Sequence, residues 1–251
     1  MATALRRQAV FLIAIGVAWL LSVYAEFSGT ALRLHHHSLY HDGLPFWQAA
    51  LVLLGAWLVM TAAMMLPSSL PMIRHFQAVS QSRARPALAV ALFVVAYFAV
   101  WSAFAVLAWS GDYLVHSTVH AWPWLAAHDQ LIAAGVLATA AAYQFSPLKD
   151  ACLRGCRHPA AFLMRFYRSG LGPAFELGLR HGMFCLGCCW ALMLVMFAAG
   201  VAHLYWMAVP GLVMLAEKAF PGGDRLAVPV GLGLAVLAAF ALLVPGSVPG
   251  L

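Results

Sequence analysis

Long runs without a charged residue divide the chain into apolar segments. Six runs lack Asp, Glu, Lys and Arg: 8–25, 43–73, 86–111, 130–148, 181–216 and 226–251. The fifth run is too long for one crossing at about 1.5 Å per residue, and Gly200 with His203 offers a polar turn where it can fold back. The pattern therefore predicts about seven transmembrane helices. They are expected near 8–25, 47–67, 87–109, 126–147, 179–199, 203–219 and 226–245, with bounds good to about four residues.

Composition supports a membrane protein. The 251 residues are 64% hydrophobic and 9% charged, whereas soluble domains are about 45–50% apolar and 25% charged. These values exclude a cytosolic enzyme, a secreted disulfide scaffold and a disordered chain. About seven spans also leave no room for a separate soluble domain, and no internal repeat is visible. We therefore predict an all-α, polytopic transmembrane helix bundle that forms a single domain over 1–251.

The distribution of Lys and Arg predicts the orientation. If the N-terminus with Arg6 and Arg7 is cytoplasmic, only Arg33 falls clearly outside. The residues that then fall inside are Arg74, Arg83, Arg85, Lys149, Arg154, Arg157, Arg165, Arg168, Lys218 and Arg225. This places the C-terminus outside and makes the formal charge of +6 a topology signal rather than a sign of nucleic-acid binding. The basic and aromatic segment around Ala160–Arg168 suits a short interfacial helix.

One face of the fifth predicted span carries soft metal ligands. At about 100° per residue, six side chains fall within an arc of roughly 140°: His181, Cys185, Cys188, Cys189, Met193 and Met196. Thiolates and thioethers favour Cu(I), while zinc and iron–sulfur centres also accept thiolates. The alternative is that Cys and Met simply fill an apolar helix. Three cysteines and a histidine on one face favour a metal site.

A second soft patch lies on the second predicted span. Met60 and Met64 stack at positions i and i+4, with Met65 on the flank. Methionine clusters are more often packing than ligands. However, Met64 and Met65 are expected near the cytoplasmic end of their span, at a depth comparable to Cys185. The two patches would meet if the two helices are neighbours.

Two further groups are secondary candidates. Cys152 and Cys156, four residues apart on the cytoplasmic side of the fourth span, suit a soft metal or a redox pair. The first outer loop holds His35, His36, His37 and His41, and the second holds His116, His120 and His128. Imidazoles suit Cu(II), Zn(II) or Ni(II), but histidine is also tolerated at a wet interface.

The sequence lacks common enzyme motifs, and its remaining charged residues near the spans are minor candidates for function. Metalloprotease, nucleotide-binding and serine-hydrolase motifs are absent, which favours a non-enzymatic function without deciding it. Glu176 and Arg180 are expected to pair at i, i+4. Glu217 and Lys218 end the sixth span and are treated as secondary, because they can lie at the interface.

The combined motifs resemble the uncharacterised bacterial family called predicted metal-binding integral membrane proteins. The resemblance covers about 57–218 and is carried by Met60-x3-Met64-Met65-x-Pro67, Pro147-Leu148-Lys149-x2-Cys152-Leu-x2-Cys156-Arg157-x-Pro159, His181-Gly-x2-Cys185-Leu-Gly-Cys188-Cys189-Trp190-x2-Met193 and Glu217-Lys218. It implies a helical protein of the bacterial inner membrane with a metal site. It supplies no reaction, and the His-rich first loop has no counterpart in the family pattern.

We therefore predict a protein that binds a soft metal, favouring Cu(I) over zinc or iron, for transport, delivery or assembly of a copper enzyme. His181, Cys185, Cys188 and Cys189 are the predicted primary ligands, and Met60, Met64, Met65 and Met193 are secondary or transfer ligands. The expected partners are the lipid bilayer, the metal ion, and a membrane copper enzyme or metallochaperone. One alternative is a membrane thiol–disulfide oxidoreductase in which Cys185 and Cys188 form one redox pair and Cys152 and Cys156 form another. Another is a structural subunit whose Cys and Met only pack.

Overall fold

The computed structural model describes residues 2–30, 45–82, 84–128, 130–199 and 204–244. Within these ranges the regular structure is helical, and no strand occurs. The main helices are α1 (Ala2–Phe27), α2 (Phe46–Ser80), α3 (Pro86–Ala121), α4 (Gln130–Gln144), α5 (Pro147–Arg157), α6 (Pro159–Phe166), α7 (Leu171–Ala199), α8 (Leu204–Ala219) and α9 (Ala227–Leu243). Short helical turns cover Pro123–Ala126 and Gly223–Leu226. The predicted all-α bundle is confirmed.

Five of the described helices are long and apolar enough to cross a membrane. The crossing segments are Gln8–Phe27, Trp47–Ser80, Pro86–Val119, Leu171–Met196 and Gly223–Leu243. The last of these joins the short turn Gly223–Leu226 to α9. A sixth is possible if α4 and α5, which meet at a bend of 64°, form one broken span. The sixth predicted segment corresponds to α8, which has only 16 residues. Each of the seven predicted segments thus overlaps a helix, but length and composition qualify five or six of them for a crossing.

Several helices extend further than the charge pattern predicts. The α2 helix continues to Ser80 through Pro67 and Pro71, and it has 35 residues. The segment with Cys152 and Cys156 is also helical, since it forms α5 after a break at Ser146. There the Ser146 hydroxyl accepts the backbone N–H of Leu148 at 3.1 Å, which satisfies one of the free donors of the new helix. The predicted short helix near Ala160–Arg168 corresponds to α6.

Helix α7 lies at the centre of the arrangement because its glycines allow neighbours to approach closely. A Cβ atom at Gly178 would clash with the carbonyl oxygen of Phe93, and one at Gly182 would lie 2.9 Å from Val100 Cγ2. Both neighbours belong to α3, so two glycines four residues apart form a groove for that helix. On α5, Cys152 occupies the space beside Gly187, where a Cβ would come within 2.5 Å of Cys152 Sγ. The cysteine-bearing part of α7 is therefore enclosed by α3 and α5.

Candidate metal centre

Within the described part of the chain, helices packed around α7 bring polar or soft side chains to its cysteine face. Helix α2 contributes Met65, α3 contributes Tyr97, α5 contributes Cys156 and α8 contributes Lys218. Cys185, Cys188 and Cys189 are each 1% exposed, and Met65 is fully buried. We call this group of side chains the thiol cluster: Met65, Cys156, Cys185, Cys188, Cys189 and Lys218.

The two soft patches predicted separately from the sequence meet in the thiol cluster. Cys189 Sγ lies 3.7 Å from Met65 Sδ. Met60, Met64 and Met193 are buried in the same hydrophobic core, and the Met64 side chain packs at Gly211 of α8. Thiol and thioether sulfur are thus in contact across the interface between α2 and α7.

Lys218 lies among the sulfur atoms of the thiol cluster. Its Nζ is 3.1 Å from Cys185 Sγ, 3.8 Å from Cys189 Sγ and 4.0 Å from Met65 Sδ. It also donates to Ser68 Oγ at 3.3 Å. Only 7% of Lys218 is exposed. Burying a charged amine without polar partners costs folding free energy, so the contacts with the sulfur atoms and the hydroxyl stabilise Lys218 in its buried position.

The cysteines form a compact group without a disulfide. All five are free thiols. Cys188 Sγ lies 4.0 Å from Cys156 Sγ. The Cys188 and Cys189 thiols donate to the carbonyl oxygen of Cys185 at 3.0 and 2.9 Å. Cys152 is half-buried at the edge of the group. The secondary candidate Cys156 is therefore part of the thiol cluster, beside the predicted ligands on α7.

His181 reaches Cys185 through two hydroxyl groups. Its ring stacks on Phe93 and Tyr97, with centroids 5.7 and 5.5 Å apart. His181 Nε2 is 3.3 Å from Ser69 Oγ, and this hydroxyl donates to Tyr97 Oη at 3.1 Å. Tyr97 Oη in turn lies 3.1 Å from Cys185 Sγ. Among the described residues, the buried Nδ1 of His181 has no hydrogen-bond partner.

A buried ion pair fixes the end of α8 next to Lys218. Lys149 Nζ lies 2.6 Å from Glu217 Oε1, and the two side chains are 2% and 1% exposed. Lys149 also donates to Gln144, and Arg157 donates to the carbonyl oxygen of Glu217. The neighbour of Lys218 in the sequence is thus tied to α5.

The structure brings together part of the predicted ligand set. Within the described ranges, no three His, Cys, Asp or Glu side chains are already arranged to hold a metal ion. The contacts instead join thiols to a methionine sulfur and an amine. His35, His36, His37 and His41 lie outside the described residues. The predicted pair of Glu176 and Arg180 is confirmed, with Arg180 Nη2 at 2.9 Å from Glu176 Oε1.

Sequence reasoning missed the position of three side chains at this site. Lys218 is a secondary candidate in the sequence, and Tyr97 and Ser69 give no sequence signal of their own. The available signal for Lys218 is a basic residue directly after an apolar segment and beside Glu217. The same sequence pattern is equally typical of a charged residue at the membrane interface.

Comparison with known proteins identifies a family. A family model described as PpoB2, copper chaperone, matches residues 54–241. This range includes every residue of the thiol cluster. No curated protein matches the chain, and no solved structure does.

Proposed function

The chain belongs to the PpoB2 copper chaperone family, and on this basis we propose that it is a membrane-embedded protein that binds Cu(I) in the thiol cluster and passes it on. The observation that carries the proposal is the contact between Cys189 Sγ and Met65 Sδ at 3.7 Å, next to Cys185. The copper would serve transport, delivery or the assembly of a copper enzyme. A membrane copper enzyme or a metallochaperone is the expected partner.

The chemistry of the donors favours Cu(I) as cargo. Soft thiolates and thioethers select Cu(I) over harder ions. Two thiolates and one thioether can satisfy it, so the three donors Cys185, Cys189 and Met65 form a sufficient set. Cys156, Cys188, Met60, Met64 and Met193 provide further soft donors in the same core for transfer between sites. His181 supports Cys185 through Ser69 and Tyr97.

Apolar surfaces support the membrane location. Large aliphatic side chains point outward on helices of crossing length, among them Leu20 on α1, Leu107 on α3 and Val236 on α9, which are 69%, 70% and 67% exposed. Several helices exposing such side chains are typical of contact with lipid rather than water. We propose a bacterial inner-membrane protein with a cytoplasmic N-terminus and a periplasmic C-terminus.

The orientation can be tested with reporters at the C-terminus. Because Lys and Arg concentrate on one side of the predicted spans, we expect a reporter that functions only in the periplasm to be active. A reporter that functions only in the cytoplasm is expected to be inactive. The opposite pattern would overturn both the orientation and the predicted number of spans.

The second candidate function, a thiol–disulfide oxidoreductase, is favoured by one contact. Cys156 Sγ and Cys188 Sγ are 4.0 Å apart, so these two thiols can form a disulfide after a small movement. Forming it would pass two electrons and two protons to an acceptor such as a quinone. This reaction removes Cys188 from the soft donors, so the two functions make opposite demands on the thiols.

Alkylation in isolated membranes separates the two functions. We expect Cys185, Cys188 and Cys189 to be reduced in cells, and we expect Cu(I) to protect them from N-ethylmaleimide because bound thiolates are no longer nucleophilic. Labelling of Cys152 at the edge should change least. Labelling that ignores copper and follows the oxidation state of the quinone pool would contradict the copper proposal.

A further inference from the structure

The position of Lys218 bears on which metal ions the thiol cluster accepts. Its Nζ lies within 4.0 Å of three sulfur atoms, those of Cys185, Cys189 and Met65. These are the donors proposed for Cu(I). The ammonium group therefore stands where a cation bound by the same donors would stand, and an incoming metal ion must displace it.

The charge of Lys218 faces sulfur atoms and a hydroxyl group. Among the described residues, no carboxylate lies within ion-pair distance of Lys218 Nζ, because the adjacent Glu217 is turned to Lys149 at 2.6 Å. Besides the sulfur atoms, the amine contacts the hydroxyl of Ser68 at 3.3 Å. The positive charge thus lies directly beside the sulfur donors and one hydroxyl group.

Displacement cannot take the charge far from the site. Lys218 is in the last turn of α8, and the ion pair of Glu217 with Lys149 fixes this turn to α5. The lysine is also 7% exposed, so it is enclosed by neighbouring side chains. After a metal ion enters, the ammonium group can shift within the flexible four-carbon side chain but stays beside the bound ion.

We infer that Lys218 makes the thiol cluster selective for soft monovalent cations over soft divalent cations. Cu(I) with two thiolates carries one negative charge, which Lys218 neutralises. A divalent ion with the same two thiolates is neutral, so Lys218 leaves the buried site with an uncompensated positive charge. Because charge is costly to bury and like charges repel strongly in a low-dielectric interior, the divalent complex is disfavoured. This inference rests on the proposed copper site and adds its charge selectivity.

The test compares Cu(I) with Cd(II), a soft divalent ion, on the full chain in detergent. Affinities for both ions are measured by competition with chromophoric chelators under anaerobic, reducing conditions. We expect Lys218→Leu to lower the ratio of Cu(I) affinity to Cd(II) affinity at least about tenfold, because a like charge beside the metal is removed. Lys218→Arg keeps the charge and should preserve most of the selectivity. The control is Arg154→Leu, which removes an exposed cation that pairs with Asp150.

A measurement on the unaltered chain keeps the inference falsifiable if the variants do not fold. Ag(I), a soft monovalent ion, is expected to raise the melting temperature, whereas Cd(II) at the same concentration should raise it much less. Equal stabilisation by the two ions would overturn the inference, as would an unchanged affinity ratio in a folded Lys218→Leu variant. If the unaltered chain binds no Cu(I), the proposed function itself fails, and this result is distinct from a loss of selectivity.

Discussion

Replacing Cys185 and Cys189 together with alanine is expected to lower the Cu(I) affinity by about 100-fold or more. Removing a residue that only hydrogen-bonds to a metal ligand typically lowers the metal affinity about 10–100-fold. The double substitution instead removes two of the proposed metal donors themselves. Met65 would remain as a single thioether from the proposed set. Competition with a Cu(I) chelator on the detergent-purified full chain measures the effect.

Two controls distinguish loss of ligands from loss of packing. Met72→Leu changes a methionine that is 1% exposed but belongs to a different core cluster, together with Phe76 and Phe93. His36→Ala removes an imidazole of the first predicted outer loop. Both variants should keep the copper affinity, because thiolates dominate binding of Cu(I). If the unaltered chain and the double cysteine variant bind copper equally well, the two cysteines are not copper ligands and only pack in the core.

Breaking the ion pair of Lys149 and Glu217 is expected to cost about 3–5 kcal/mol of folding free energy. In Lys149→Met the carboxylate of Glu217 stays buried, at 1% exposure, without its ammonium partner. An uncompensated buried charge is strongly destabilising, whereas replacing both partners by apolar residues is often neutral. Lys149→Met/Glu217→Leu should therefore regain most of the lost stability. Unfolding in mixed micelles provides the measurement.

The matched control for this pair lies on the same helix. Arg154 and Asp150 form an exposed ion pair on α5, at 62% and 56% exposure. Exposed pairs contribute about 0–1 kcal/mol, so Arg154→Ala should change stability little. Equal losses in Lys149→Met and Arg154→Ala would show that burial of the Lys149 pair does not strengthen it.

The fold could be predicted from the sequence because its signal is local. Apolar runs of crossing length and the charges between them mark the long helices, and these determine the all-α class and the approximate segments. Helix ends were less predictable. Charge patterning cannot show that α2 continues to Ser80 or that Cys152 and Cys156 lie on a helix rather than in a loop, since a helix can continue past its apolar part.

The site was only partly predictable because it depends on which helices are neighbours. Helical spacing places Cys185, Cys188 and Cys189 on one face, and this needs no knowledge of other helices. The contact of Met65 with Cys189 depends on packing of α2 against α7, which sequence periodicity does not specify. Lys218 illustrates the same limit. Its location after an apolar segment indicates an interface, and only the packing of α8 turns its amine towards the thiols.

Copper K-edge X-ray absorption of the full chain, loaded with a substoichiometric amount of Cu(I) in reductant, identifies the atoms bound to the metal without any substitution. We expect a shell of sulfur alone, as supplied by Cys185, Cys189 and Met65. A shell dominated by nitrogen or oxygen would contradict a Cu(I) site in the thiol cluster.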